Sequence, residues 1–343
     1  MARPRRNQQI RPEEVRHYHL MSRCACRQMR LEETWRKEFM IGWFKVLHSA
    51  YAVQVGRFSM MGNHFHTVVR IDWEMGQAWS PIEVVTRWAR VHPPRDGRHR
   101  PLTGDDLDQW LANQARMPET VEALRGKLTS VSQFMKDFKQ KVAETFNKKD
   151  GASGVFWQGR FQSTPLASDS ALLAGMAYVD LNPLAAKLCE KPEDDPHTSL
   201  HESVKSLAQE RRERIRRNQA ASVKEPVRSL SYAQAEAQVK QNTPAMMEVV
   251  PDAERHAWML PVGGSCAGAG IAESKRKGLF PQLRLEDYLR LVDFVARQFR
   301  EGKARMDDAV EGILERSQVG AADAPRWLAQ VVDWLREGRI RVA

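Results

Sequence analysis

Apolar positions recur along this chain with two different periods. Residues 15–23 (VRHYHLMSR), 51–61 (YAVQVGRFSMM) and 64–71 (HFHTVVRI) are short runs of strand-like composition and predict β-strands. Gly62-Asn63, between the second and third, is a turn signal. Residues 31–50 set Trp35, Phe39, Trp43 and Val46-Leu47 at helical spacing. The clearest predicted helix covers 119–147, where Val121, Leu124, Leu128, Val131, Phe134, Phe138, Val142 and Phe146 recur at three- and four-residue steps. A glycine-containing loop, KKDGASG, is expected next, and then a helix over 169–188 that breaks at Asn182-Pro183.

Residues 72–118 interrupt this rhythm. They are rich in Pro, Gly and charge, and read as an insertion with short helices near 81–90 and 104–115. Asp105, Asp106 and Asp108 cluster there without EF-hand spacing, as a solvated loop or helix start would. From about residue 200 the chain changes character. A charged helix is expected first, then irregular chain over 219–280, then amphipathic helices over 283–300 and 304–338. The expected organisation is a basic arm at 1–14, a main domain at 15–204 and a mainly helical region at 205–343.

Composition narrows the class of protein. Of 343 residues, 42% are hydrophobic and 28% charged, which is a globular balance. No apolar run is long enough to span a bilayer, and the basic start lacks the apolar stretch of a secretory leader, so a cytoplasmic location is expected. Four cysteines do not make a disulfide scaffold, and Cys24-Ala25-Cys26 lacks zinc-site spacing. The net charge of +10 points to a polyanionic partner. Ten tryptophans and twelve phenylalanines are stacking platforms for bases or, equally, core.

The sharpest chemical signal is His64-Phe65-His66. On a strand, residues two apart share a face, so both imidazoles can converge on one divalent ion while Phe65 enters the core. Alone, this triplet is also what two surface histidines look like. Its context is more specific. Met61-Gly62-Asn63-His64-Phe65-His66 resembles the M-P/S-N-H-x-H segment of the REP-associated tyrosine transposases. Four further segments match in order: His17 to Arg23 (HYHLMSR), Gln133 to Lys136 with Phe146-Asn147, Gly154 to Ser163 (GVFWQGRFQS), and Tyr178 to Ala186 (YVDLNPLAA).

This resemblance implies an α+β fold, a ferredoxin-like antiparallel sheet with helices on one face. It also implies binding of hairpin or single-stranded DNA, including repetitive palindromic elements, by a monomer or homodimer associated with the nucleoid. His64, His66 and a helix-borne polar residue, here assigned to Asn147, would hold Mg2+ or Mn2+. A tyrosine would attack the scissile phosphate. The matched position, five residues before Asn147, is Val142, which cannot attack phosphorus. The chain is most similar to a transposase-like subgroup with an aliphatic residue there. Tyr18 and Tyr178 lie in matched motifs and receive no nucleophilic role. Arg23, Trp157 and Arg160 are candidate DNA contacts, as are Arg211, Arg212, Arg214, Arg216 and Arg217 on the charged helix. Two readings stay open: a metal-dependent single-strand endonuclease or transposase-like enzyme, and a catalytically inactive, domesticated DNA-binding protein. An RNA-binding module on the same scaffold is a third.

Overall fold

A computed structural model describes residues 16–222, 258–262, 265–266, 276–277, 279, 283–298 and 303–316. The sheet is built from β1 (His17–Arg23), β2 (Val53–Met60), β3 (His64–Ile71) and β4 (Gln162–Pro165). Its order is β2-β3-β1-β4 and every neighbouring pair is antiparallel. Helix α1 (Thr34–Ala50) carries the chain from β1 to β2. The β3–β4 connection holds α2 (Trp73–Ala78), α3 (Pro81–Val91), α4 (Gly104–Ala115), α5 (Pro118–Leu128) and α6 (Val131–Asp150). This order and connectivity are those of the expected ferredoxin-like sheet.

The helix expected over 119–147 is two helices. The apolar period runs on unbroken because α5 and α6 bury the same side against one core. Between them, Ser130 leaves the helical conformation and its hydroxyl accepts from the Gln133 amide, giving α6 its own N-cap. At the other end α6 continues through Lys148-Lys149-Asp150, taking in part of the expected loop. It stops at Gly151, whose φ of 60° is the left-handed conformation that closes a helix at low cost in glycine. The insertion forms the two expected helices and a third, α2, whose N-cap Asp72 accepts from the Met75 amide.

After β4 come α7 (Asp169–Asp180), α8 (Asn182–Ala185) and α9 (Ser199–Ser222). The expected break at Asn182-Pro183 falls one residue earlier, because Pro183 sits in the first turn of a resumed helix, where a missing N–H costs nothing. Residue 205 lies inside α9, which runs through the expected domain boundary without interruption. In the C-terminal region α10 (Leu285–Arg297) matches the predicted helix. Residues 303–312 are not helical, and only α11 (Ile313–Arg316) is helical among the described part of 304–338. The 1–14 arm lies outside the described residues.

Both faces of the sheet are covered. One face carries Tyr18, Leu20, Val55, Phe58, Phe65 and Val69 into a core shared with α1 and α6. The opposite face contributes Val68 to a second core built with α7, α9 and α10. There the packing is close: a Cβ on Gly56 would lie 2.4 Å from Leu279 Cδ1. The β2 edge is not left open, since Met60 N–H donates to His197 O (3.1 Å) and Leu260 N–H to Val55 O (2.8 Å).

Candidate active site

His64 and His66 open β3, immediately after the turn closed by Met61 N–H donating to His64 O at 2.9 Å. Phe65 points to the aromatic core, with ring centres 5.0 Å from Phe138 and 5.7 Å from Trp157. The two imidazoles therefore share the other face, 5.0 Å apart and nearly perpendicular. Antiparallel register sets Arg23 opposite His64 and His19 opposite Val68. Directly opposed residues share a face, so β1 adds a cation and a third imidazole to the same side. His19 Nε2 lies 2.9 Å from His66 Nδ1. Tyr178, from α7, completes the group edge-on, its ring centre 5.4 Å from His66 and 5.5 Å from His19.

Hydrogen bonding sets the tautomer of His64. The Asn63 amide nitrogen donates to Arg27 O (3.0 Å), which turns Asn63 Oδ1 towards His64 Nδ1 at 2.6 Å. An oxygen can only accept, so Nδ1 carries the proton and the lone pair of the neutral ring is on Nε2. The ring is held neutral: burial, then the charges of Arg23 and Lys303, lower the His64 pKa to about 4. Burial, then His19, His64 and Arg23, drive His66 well below the usual histidine range. Burial lowers His19 to about 4. Either ring can donate across the His19–His66 contact, according to its tautomer.

Imidazole nitrogens are donors of a type that suits Mn2+ and its neighbours. Among the described residues no group of three or more His, Cys, Asp or Glu is arranged to hold a metal.

Asn147 is placed elsewhere. Its Oδ1 accepts from Arg30 (2.8 Å) and its Nδ2 donates to Gly154 O (3.0 Å), tying the end of α6 to the following loop. Val142 is fully buried in the core of the Phe65 face. A tyrosine there would point into that core, on the far side of the sheet from the imidazoles. The tyrosine whose ring lies beside the histidines is Tyr178. Its hydroxyl has no hydrogen-bond partner among the described residues. Asn182, four residues on and so on the same helix face, donates from Nδ2 to Tyr178 O at 2.8 Å.

Arg23 and Arg160 come together with Arg27, Gln158 and Gln162 around one cavity of about 380 Å3 beside the histidines. A second cavity, of about 690 Å3, shares Arg160 and adds Lys127, Lys136 and Lys139, so that a basic path leads away from the site. Trp157, expected to stack on a base, is instead core: it is 6% exposed, its indole N–H donates to Lys139 O (2.8 Å), and Phe65 and Phe156 pack on it. Arg212 and Arg216 are exposed on α9; the side chains of Arg211, Arg214 and Arg217 lie outside the described residues. In the sequence His19 and Asn63 stand only as members of matched segments, Tyr178 was given no nucleophilic role, and Asn182 marked a helix break. The signal for His19 is its own H-x-H pairing with His17 on a strand.

No protein-family model matches this chain, and none of the curated proteins matches it. Among solved structures it is similar to a REP-associated tyrosine transposase bound to a REP hairpin, at 13% identity and a TM-score of 0.37. That match covers 60% of this chain and 86% of the other. No described helix is long and apolar enough to cross a membrane.

Proposed function

We propose that this is a transposase-like DNA-processing protein that cuts one strand of hairpin-bearing or single-stranded DNA, with Tyr178 as nucleophile. The observation that carries the reading is the convergence of Tyr178 with the imidazoles of His64 and His66, close to an arginine-lined cavity. His64 and His66 would hold Mn2+ or Mg2+, which when bound would polarise the scissile phosphate. Arg23, Arg27 and Arg160 offer charge-assisted hydrogen bonds to phosphates flanking the cut. The Tyr178 oxygen attacks phosphorus, the bond from phosphorus to the 3′ oxygen breaks, and the departing 3′ oxygen takes a proton. The phenolic proton passes to solvent. The resulting 5′-phosphotyrosine conserves the phosphodiester for rejoining.

The test is cleavage of labelled hairpin oligonucleotides with single-stranded flanks, in Mn2+ and in Mg2+, read on denaturing gels. A protein–DNA adduct formed by wild type and lost in Tyr178→Phe and in the His64→Ala/His66→Ala double variant is the expected result. Cutting that survives in Tyr178→Phe with free 5′ ends would replace the tyrosine by water. Binding without cutting in either metal would leave a domesticated DNA-binding protein.

A further inference from the structure

Asp180 lies two residues after Tyr178 and is completely buried beside the second core, on which Tyr178 also packs. Four groups meet it or its partner there. Tyr288 of α10 donates its hydroxyl to Asp180 Oδ2 (2.6 Å), and the Ser199 hydroxyl of α9 donates to Oδ1 (2.7 Å). Arg57 of β2, itself 1% exposed, brings Nε to 3.6 Å from Oδ2. Its guanidinium also lies 4.9 Å from the centre of the Tyr288 ring and donates to Ser203 Oγ at 2.8 Å. A buried carboxylate with one long ion-pair contact is costly unless its remaining lone pairs are satisfied, and the two hydroxyls do that. The arrangement ties one turn of α7 to β2, α9 and α10, and the same turn lays Tyr178 beside His66.

We infer that Tyr288 is a positioning residue for Tyr178, acting through Asp180, and that α10 is part of the working site. This rests on the reading of Tyr178 as nucleophile. Near-attack geometry is sensitive to displacements of about 1 Å, so losing one hydroxyl from the anchor of α7 slows chemistry more than binding.

The experiment uses the full chain, labelled with 3-fluorotyrosine, as wild type, Tyr288→Phe and Ser199→Ala. Three quantities are read: the single-turnover rate of adduct formation on a hairpin oligonucleotide, affinity for that oligonucleotide in EDTA, and the 19F resonance of Tyr178. The chain has five tyrosines, and that resonance is assigned by its loss in Tyr178→Phe. The expected result for Tyr288→Phe is an adduct rate lower by about 10- to 100-fold, unchanged affinity and a shifted or broadened Tyr178 signal. Ser199→Ala, which keeps the tyrosine hydroxyl, gives a smaller loss of the same kind and decides the matter if Tyr288→Phe does not fold. An unchanged rate overturns the inference, and so does a loss of affinity parallel to the loss of rate. If wild type forms no adduct, the nucleophile reading falls by itself. The Tyr178 signal then decides positioning: moved supports it, unmoved overturns it.

Discussion

The two faces of the sheet are made by the same strands and do opposite work. On one, Phe65 joins Phe44, Phe134 and Phe138 in a dry aromatic core. On the other, one residue to either side, His64 and His66 meet Arg23, His19 and Tyr178. The apolar face holds the fold, and a polar group buried in it, the Asp137 carboxylate, is met by the Tyr51 hydroxyl and the Gln133 side chain. The polar face keeps its histidines neutral by burial and leaves lone pairs unspent. A feature assigned to the wrong face loses its meaning, as position 142 shows: it is the right residue type for a core and out of reach of the chemistry.

The division can be broken most severely at Tyr178. Tyr178→Phe is expected to reduce covalent adduct on a denaturing gel to background, whereas Val142→Tyr neither raises it nor substitutes for Tyr178 in the double variant. Adduct formed by Tyr178→Phe/Val142→Tyr would show that the two faces are not separate. Next in size is the core itself. Phe65→Ala should destabilise the protein by about 3–5 kcal/mol, read from denaturant unfolding. His64→Ala, one residue away on the polar face, should cost far less stability and remove metal-dependent cutting; equal losses from both would erase the contrast.

Acidification is a smaller, graded probe of the polar face. His17, His19 and His64 each have a pKa lowered to about 4, burial being the largest cause. The unfolded chain takes up these protons near the ordinary value of 6.5. Between those limits the unfolded state holds more protons, so stability falls as pH drops from 6.5 towards 4 and levels off below. The slope is about 1.4 kcal/mol per pH unit for each such histidine, measurable by urea titration across that range. A flat profile would mean the imidazoles are solvated. The mildest effect is expected at the rim. Arg160→Ala should weaken DNA binding similarly across sequences and reduce the slope of log affinity against log salt by about 1, whereas Trp157→Phe leaves that slope unchanged.

Most elements were legible because each depends on local pattern. The strands at 17–23, 53–60 and 64–71 and the helices at 34–50, 81–91 and 104–115 fall where alternation or helical period places them. The break at Ser130 was hidden because two helices burying one continuous core keep the same period. Trp157 was misread because a basic neighbour and a large ring look alike in a nucleic-acid site and at a core edge. Tyr178 was legible as a motif but not as a reactant, since nothing local says that α7 is laid across His66.

Taken alone, the sequence settles that His64 and His66 share a face and that Phe65 does not, because strand geometry alternates regardless of context. It also settles the basic charge that suits a polyanion. Which tyrosine stands beside those histidines was decided only by tertiary structure. The strand order β2-β3-β1-β4 and the packing of α7 on the second face bring together residues 19, 64, 66 and 178, and long-range contacts of that kind leave no period in the chain.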